Sequence, residues 1–407
     1  MNLELPADFL VNVFKDKPFD IPLAIDHALR EQLPGSSIVM SSSVDVQQYE
    51  KLGLCSTELL TEPKPLISKC WGGEDYDQLF EQSHMASWRV QWNDVVLFVL
   101  YVSWETSCGH QDRSWVIAET EEVADNFMLD VARKTNDPGD ALLVFSGAHW
   151  GRSRELYRTV QQSSFDDLIL DEDLKTAIRE DFGRFLKSEQ QYVDLGLSWR
   201  RGALLIGPPG NGKTHCVRAL VKELGVPAMY VQSLKHQYLE SEQLLKMVFD
   251  RARELRPSVL IMEDLDSLVD EGNQSFFLNQ LDGFEKNHGL ILLATTNHPD
   301  RIDSAIIDRP SRFDRKYHFH LPTEGQRQRF LESWRRKFEN RLAWSGDSIL
   351  KTAETTNEFS FAYLKELVIS SLLCWNADQT AEFDVIVEQQ RVLLAGQMRT
   401  TEPTKPF

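Results

Sequence analysis

The sequence predicts an α/β fold: a parallel sheet with helices on both faces and a C-terminal helical region, preceded by a separate α+β region. Three observations carry this. Short apolar runs alternate with helical stretches after Phe165, a glycine-rich loop joins one such run to a helix, and beyond Pro322 the pattern turns helical. The chain of 407 residues is long enough for two or three domains of roughly 100–200 residues. The expected divisions are 1–160, 161–322 and 323–407.

Within 1–160, Ser87–Gln91 and Val95–Trp104 flank Asn93-Asp94, the arrangement of a β-hairpin. Trp115–Ala118 reads as a short strand and Glu121–Lys134 as a helix closed by Asn136-Asp137-Pro138-Gly139. Ala141–Ser146 reads as a further strand. Six of the ten tryptophans (71, 88, 92, 104, 115 and 150) fall here, and at strand spacing they are expected in core and edge packing.

From Phe165 the apolar runs are Ala203–Ile206, Ala228–Gln232, Val259–Met262, Leu290–Thr295 and Tyr317–Leu321. Each is short and mostly uninterrupted, as strands buried on both faces require. The last third offers helices at Glu324–Glu339, Ser360–Trp375 and Ala381–Met398, then a frayed tail.

Acids outnumber bases 62 to 44, for a net charge of −18, which disfavours a general nucleic-acid binder. The excess is uneven: residues 1–160 hold 25 acids and 13 bases, so a partner gripped there is expected to be basic unless the charge serves only solvation. The six basic residues of Arg327–Arg341 are the one stretch that keeps a nucleic-acid motor in view. The longest wholly apolar run, Val95–Val102, is far short of the ~20 residues of a spanning helix. Met1–Leu5 lacks signal-peptide character, and five scattered cysteines without Cys-x-x-Cys suit a reducing interior. The expectation is a soluble, cytoplasmic protein with no membrane span. Cys108 and His110 are close in sequence, but two ligands do not make a metal site.

The chemistry concentrates in two segments. Gly207-Pro208-Pro209-Gly210-Asn211-Gly212-Lys213-Thr214 follows the Ala203–Ile206 run and opens a helix. Such a loop lets backbone N–H groups cradle phosphates at the positive end of a helix, with Lys213 on the β/γ-phosphates and Thr214 on Mg²⁺. It marks a P-loop that binds a nucleotide's phosphates with Mg²⁺. The second segment is Val259–Met262 followed by Glu263-Asp264, acids at the C-terminal end of a buried strand, where ligands of parallel sheets bind. One acid there can hold the metal shell while another orients the attacking water.

With Ala294-Thr295-Thr296-Asn297 and Arg309-Pro310-Ser311-Arg312-Phe313-Asp314-Arg315, these segments resemble the AAA family of ATPases over about Ser164 to Met398. Phe185–Glu189 and Trp199–Gly202 are also similar to the AAA branch that assembles mitochondrial complex III, a branch with a membrane-spanning N-terminus that has no counterpart in this sequence. The resemblance implies a helical lid over 323–407 and a homo-oligomeric ring, expected to be a hexamer. It implies that Glu263 takes the metal role with Thr214, Asp264 the water role, and Asn297 a place beside the γ-phosphate. Arg312 and Arg315 would reach a neighbouring subunit's site, Leu281-Asp282-Gly283-Phe284 would sense its nucleotide, and Phe165–Leu170 would lie against the adenine or serve as a helix entry.

Several departures from the family stand out. The Walker B order is Glu then Asp, which shortens the water-orienting side chain by one methylene. Gln237-Tyr238-Leu239-Glu240-Ser241-Glu242 resembles a substrate-threading pore loop without its glycine, so Tyr238 either grips polypeptide or packs a helix end. Phe359-Ser360-Phe361-Ala362 replaces the lid's Ser-Gly-Ala, and no arginine stands out as a second sensor. The expected function is Mg²⁺-dependent ATP hydrolysis that remodels a protein substrate or adaptor held by the N-terminal domain. The alternative is a nucleotide-gated scaffold with slow turnover.

Overall fold

The protein is described from a computed structural model covering residues 5–15, 20–41, 44–71, 79–106, 109–135, 138–282, 287–307, 312–338 and 341–400. The chain divides into two compact units, 1–137 and 138–407.

The first unit contains α1 (Phe9–Lys15), α2 (Ile21–Gln32), β1 (Ser37–Ser41), α3 (Val46–Lys51), β2 (Ser56–Leu59), β3 (Leu66–Trp71), β4 (Leu79–Trp92), β5 (Val95–Thr106), β6 (Gly109–Ala118) and α4 (Glu121–Thr135). Its sheet runs β1-β6-β5-β4-β2, with β3 on another part of β4, and every pairing is antiparallel. The β4–β5 hairpin turns at Asn93-Asp94 as expected, with Asn93 at φ 50°. Asparagine tolerates that left-handed geometry because its short amide bonds locally. Alternation along β5 and β6 splits the core: Val99 and Val116 pack with Tyr49 and Phe127, while Phe98, Leu100, Trp115 and Ile117 pack with Phe9, Ile25 and Leu29. Trp88 and Trp115 are buried core residues, and Trp92 and Trp104 pack at the edges of the two clusters.

The second unit begins with β7 (Leu142–Ser146), β8 (His149–Ser153), α5 (Arg154–Gln162), α6 (Glu172–Leu186), α7 (Glu189–Asp194), β9 (Arg200–Ile206), α8 (Lys213–Leu224), β10 (Ala228–Val231) and α9 (Ser241–Glu254). It continues with β11 (Ser258–Met262), α10 (Leu265–Leu268), α11 (Gln274–Asp282), β12 (Leu290–Thr296), α12 (Ser304–Ile307) and β13 (Arg315–His318). The sheet order is β13-β9-β12-β11-β10-β7-β8, parallel throughout except for the β7–β8 hairpin. Helices cover both faces, with Leu244, Val248, Phe249 and Phe277 on one side and Ile178, Phe182, Val217 and Leu220 on the other. A last cluster joins α13 (Glu324–Phe338), α14 (Gly346–Thr355), α15 (Phe361–Ala377) and α16 (Phe383–Thr400) around Leu331, Ile349, Leu364, Leu367 and Val387.

Three expectations need correction. Ala141–Ser146 was assigned to the region 1–160, yet β7 pairs in parallel with β10 (Met229 with Leu143, Val231 with Phe145) and extends the second sheet. Its two-faced burial is that of the later strands, and only its place before Phe165 set it apart. The final strand is Arg315–His318 rather than Tyr317–Leu321. At this sheet edge Tyr317 and Phe319 are buried between exposed His318 and His320, so alternation marks the strand better than an apolar run. Helix α14 was not expected; Ser345 caps it by accepting from the Ser348 N–H.

Candidate nucleotide-binding site

Strand β9 delivers the chain to Gly207, and α8 begins at Lys213, so the segment between them closes over the end of the sheet. Gly212 precedes the helix at φ 91° and Gly210 sits at φ 77°, conformations that glycine adopts freely. A Cβ on Gly210 would lie 2.6 Å from the Ala362 Cβ, because the start of α15 rests on the loop and the Ala362 N–H donates to Gly210 O at 3.1 Å. The N-terminal N–H groups of α8 open into a cavity of about 400 Å³. That is a ready-made place for phosphate oxygens.

Lys213 is only 6% exposed, and its Nζ donates to Gly207 O (2.6 Å), Pro208 O (3.0 Å) and Asn297 Oδ1 (2.7 Å). Burial pulls its pKa down, while the charges of Asp264, Glu263 and Asp266 oppose the fall. Asn297, at the end of β12, also donates Nδ2 to Asp264 Oδ1 at 2.9 Å, so one amide bridges the lysine and the acid. Asp264 leaves β11 at φ 48°, and its N–H donates to Thr295 Oγ1 at 3.1 Å. That left-handed turn carries its side chain toward Asn297 instead of along the strand direction.

Glu263 points into the same cavity. Desolvation raises its pKa, offset in part by the Thr214 hydroxyl, Arg218 and Lys213. Its Oε1 is buried without a hydrogen-bond partner among the described residues. A desolvated carboxylate oxygen that lacks a donor fits a cation, and Thr214 supplies a hydroxyl beside it. The residues present therefore suit Mg²⁺.

Leu168, Ile169, Phe330 and Phe361 supply the large apolar side chains that line the cavity. Of the Phe165–Leu170 segment, Asp167, Leu168 and Ile169 line the cavity, while Phe165 and Leu170 are buried in the core. Phe330, Lys365 and His215 were missed by sequence reasoning; Lys365 lies four residues after Phe361 on one helical face, the signal that could have found it.

The two candidate arginine fingers differ. Arg312 is 8% exposed; its Nε donates to Asp282 Oδ2 at 2.8 Å and its Nη1 to Ala305 O. It was expected to extend toward a neighbour, but its guanidinium bonds to Asp282 and Ala305 within its own chain, and Asp282 was not foreseen as its holder. Arg315 on β13 has a side chain 54% exposed, with Nε 3.5 Å from Asp181 Oδ1. Gly283, Phe284 and Arg309–Ser311 lie outside the described residues, as does Cys108. Tyr238 is 68% exposed ahead of α9, so it does not pack a helix end. Within the basic stretch, Arg327 is buried and donates to Ala353 O and Pro322 O, which removes it from any nucleic-acid surface.

The family model for "ATPase family associated with various cellular activities (AAA)" matches residues 203–321, the stretch from β9 to the end of the parallel sheet. This chain carries a AAA domain. A AAA domain has the P-loop fold, in keeping with the parallel sheet and the helices on its two faces. Similar proteins include an ATP-dependent zinc metalloprotease FtsH 2 of Salinibacter ruber, 34% identical over 54% of this chain and 34% of its own length. The ATPase family gene 2 protein of Saccharomyces cerevisiae is 31% identical over 56% of this chain and 30% of its own. A cell division cycle protein 48 homolog of Archaeoglobus fulgidus is 32% identical over 53% and 31%. The chain spans about a third of the length of these relatives. No helix among the described residues is long and apolar enough to cross a membrane.

Proposed function

We propose that the protein hydrolyses ATP in the cavity between the phosphate loop and α15, as a subunit of a homo-oligomeric ring. The observation that carries this reading is the convergence of the phosphate loop, Lys213, the unpartnered Glu263 oxygen and the Asn297–Asp264 pair in one cavity. Loop N–H groups of Gly210, Asn211 and Gly212 hold the phosphates, the prolines at 208 and 209 having none to give, and Lys213 exchanges its loop carbonyls and Asn297 for phosphate oxygens. Thr214 and Glu263 hold Mg²⁺, which when bound neutralises charge on the phosphates. Asp264 accepts a proton from, or orients, the attacking water; Asn297 positions that water once Lys213 has turned to the nucleotide. Arg315 is the residue with the exposure needed to reach a neighbouring site. The work of hydrolysis is the remodelling, assembly or disassembly of a protein, gripped by Tyr238 and recruited by the acidic N-terminal unit.

One observation favours a second reading, a nucleotide-gated scaffold with slow turnover: Asp264 is a methylene shorter than glutamate and is already bonded to Asn297. Turnover of Mg²⁺-ATP measured across a wide protein concentration range, with Asp264→Asn as the blank, separates the two. Specific activity that climbs steeply with concentration supports the ring ATPase, whereas tight ATP binding with flat, blank-level turnover supports the scaffold. Absence of ATP binding overturns both.

A further inference from the structure

The first unit, which the family model does not match, has a cavity of its own. It measures about 810 Å³ and is lined by residues of α1 and α2 together with Pro6 and Asp20, which precede them. Helix α2 has two apolar faces. Ile25 and Leu29 are wholly buried in the core cluster they share with Leu100 and Trp115, whereas Leu23, Ala24 and Ala28 line the cavity. Leu23 is 65% exposed, an unusual place for a large aliphatic side chain in a chain this rich in charge. From α1, Phe9 and Val13 line the cavity as well, and Phe9 is also a core residue, so the groove reaches down to the core.

The groove is acidic at both ends of α2. Asp20 caps the helix, its Oδ1 accepting from the Leu23 N–H at 3.0 Å, and Glu31 lies eleven residues on, about 16 Å along the axis. Glu31 has only His27 beside it, at 3.6 Å, and no lysine or arginine among the described residues lines the cavity. Arg30, the one arginine of α2, is spent elsewhere: its Nε donates to Asp26 Oδ2 at 2.7 Å and its Nη2 to Ile38 O of β1 at 2.9 Å. An apolar floor with uncompensated acids at its ends is complementary to an apolar stripe with bases at its ends. A second copy of α1 and α2 would bring the same acids, and an anionic lipid surface would bring its own negative charge, so neither suits. A helix does suit: two packed helices offer a groove for the side-chain ridge of a third, and bases three turns apart on that helix would reach Asp20 and Glu31 together.

We propose that the α1–α2 groove docks a protein partner through an amphipathic helix whose apolar stripe is flanked by lysine or arginine. This rests on the reading of the acidic N-terminal unit as the part that recruits a protein, and it names the surface and the chemistry recruited.

The test is fluorescence anisotropy of the full chain with labelled probes of about fifteen residues, four turns of helix. One probe carries leucines at helical spacing with lysines at both ends, one has glutamates in place of the lysines, and one keeps the lysine probe's composition with its leucines scrambled. The parent should bind the first and reject the other two. Glu31→Lys should weaken that binding about tenfold, an exposed attraction being exchanged for a repulsion. Leu23→Ser should weaken it about fivefold through lost apolar contact. Asp125→Lys makes the same charge change on α4, which packs on the other face of the sheet, and should leave binding unchanged. All three side chains are exposed, so the variants should melt like the parent. Equal binding of the glutamate or scrambled probe overturns the groove. A loss that follows Asp125→Lys but not Leu23→Ser also overturns it, while recruitment of a basic partner by overall charge stands. Sedimentation in which Leu23→Ser turns a dimer into a monomer would make the occupant a second copy, against the proposal. Failure of the parent to bind the lysine probe overturns the groove and the recruitment of a basic partner together.

Discussion

Arg312 donates its Nε to Asp282 Oδ2 across 2.8 Å, and the pair closes the space between the end of α11 and the approach to β13. Asp282 also accepts from Arg200 at 3.2 Å, so two guanidinium groups share one carboxylate. With Arg312 only 8% exposed, the interaction is shielded and its loss leaves Asp282 partly uncompensated. Arg312→Ala is expected to lower unfolding stability by about 2 kcal/mol, below the usual range for a broken buried pair because Arg200 remains. Urea unfolding of Arg312→Ala, Asp282→Ala and the double variant checks this: the double should lose less than the two singles together.

Arg315 gives the opposite expectation. Asp181 keeps Arg201 and the Tyr317 hydroxyl when Arg315 is removed, and the Arg315 side chain is half exposed. Stability of Arg315→Ala should stay within about 0.5 kcal/mol of the parent. Turnover that depends on protein concentration should be lost, and mixing the variant with parent protein should poison the parent. An additive mixture would show that Arg315 serves no neighbour.

Lys213 makes its three hydrogen bonds to the resting loop and to Asn297, so its removal has two effects. Lys213→Met should weaken ATP binding about 100-fold through loss of charge-assisted contacts to phosphate. It also frees the Asn297 amide, leaving that side chain bonded only through Nδ2 to Asp264. Titration with ATP in the presence and absence of Mg²⁺ reads the first effect directly.

Tyr49 provides a pH marker in the first unit. Burial, then its hydrogen bond to Asp130, pushes the phenol from 10.0 up to about 12. The folded state therefore favours the neutral phenol: its stabilising contribution is complete below pH 10 and is lost as the pH rises toward 12. Stability should fall across that window, and Tyr49→Phe should show a shallower fall while losing about 1 kcal/mol at neutral pH from the missing hydrogen bonds to Asp130 and Trp92. Chemical denaturation at a series of alkaline pH values, followed by near-ultraviolet signals of Trp92, distinguishes the two.

What was legible in the sequence was what lies contiguous in it. Gly207–Thr214 occupies eight successive positions whose chemistry needs no tertiary partner, and Glu263-Asp264 could be placed because a strand end defines its own direction. The Arg312–Asp282 pair was hidden because its members are thirty residues apart and meet only when α11 and β13 are in place. Helix α14 was hidden by its amphipathic shortness, with Ile349, Thr352 and Ala353 as its buried residues. Strand β7 had the correct pattern but the wrong neighbours in sequence, since its partner Ala228–Val231 lies past the phosphate loop.

That last strand has a practical consequence. A fragment cut at residue 161 would strip β7 and β8 from β10 and leave a row of backbone donors and acceptors open along an apolar strand, an invitation to pair with another chain and aggregate. A fragment begun at residue 138 keeps that side dressed and ends the sheet on β8, whose exposed His149 and Arg152 discourage further pairing. The two strands act as a selvedge, the woven border that stops a fabric from unravelling, and the AAA domain of this protein is hemmed by residues that its family pattern does not include.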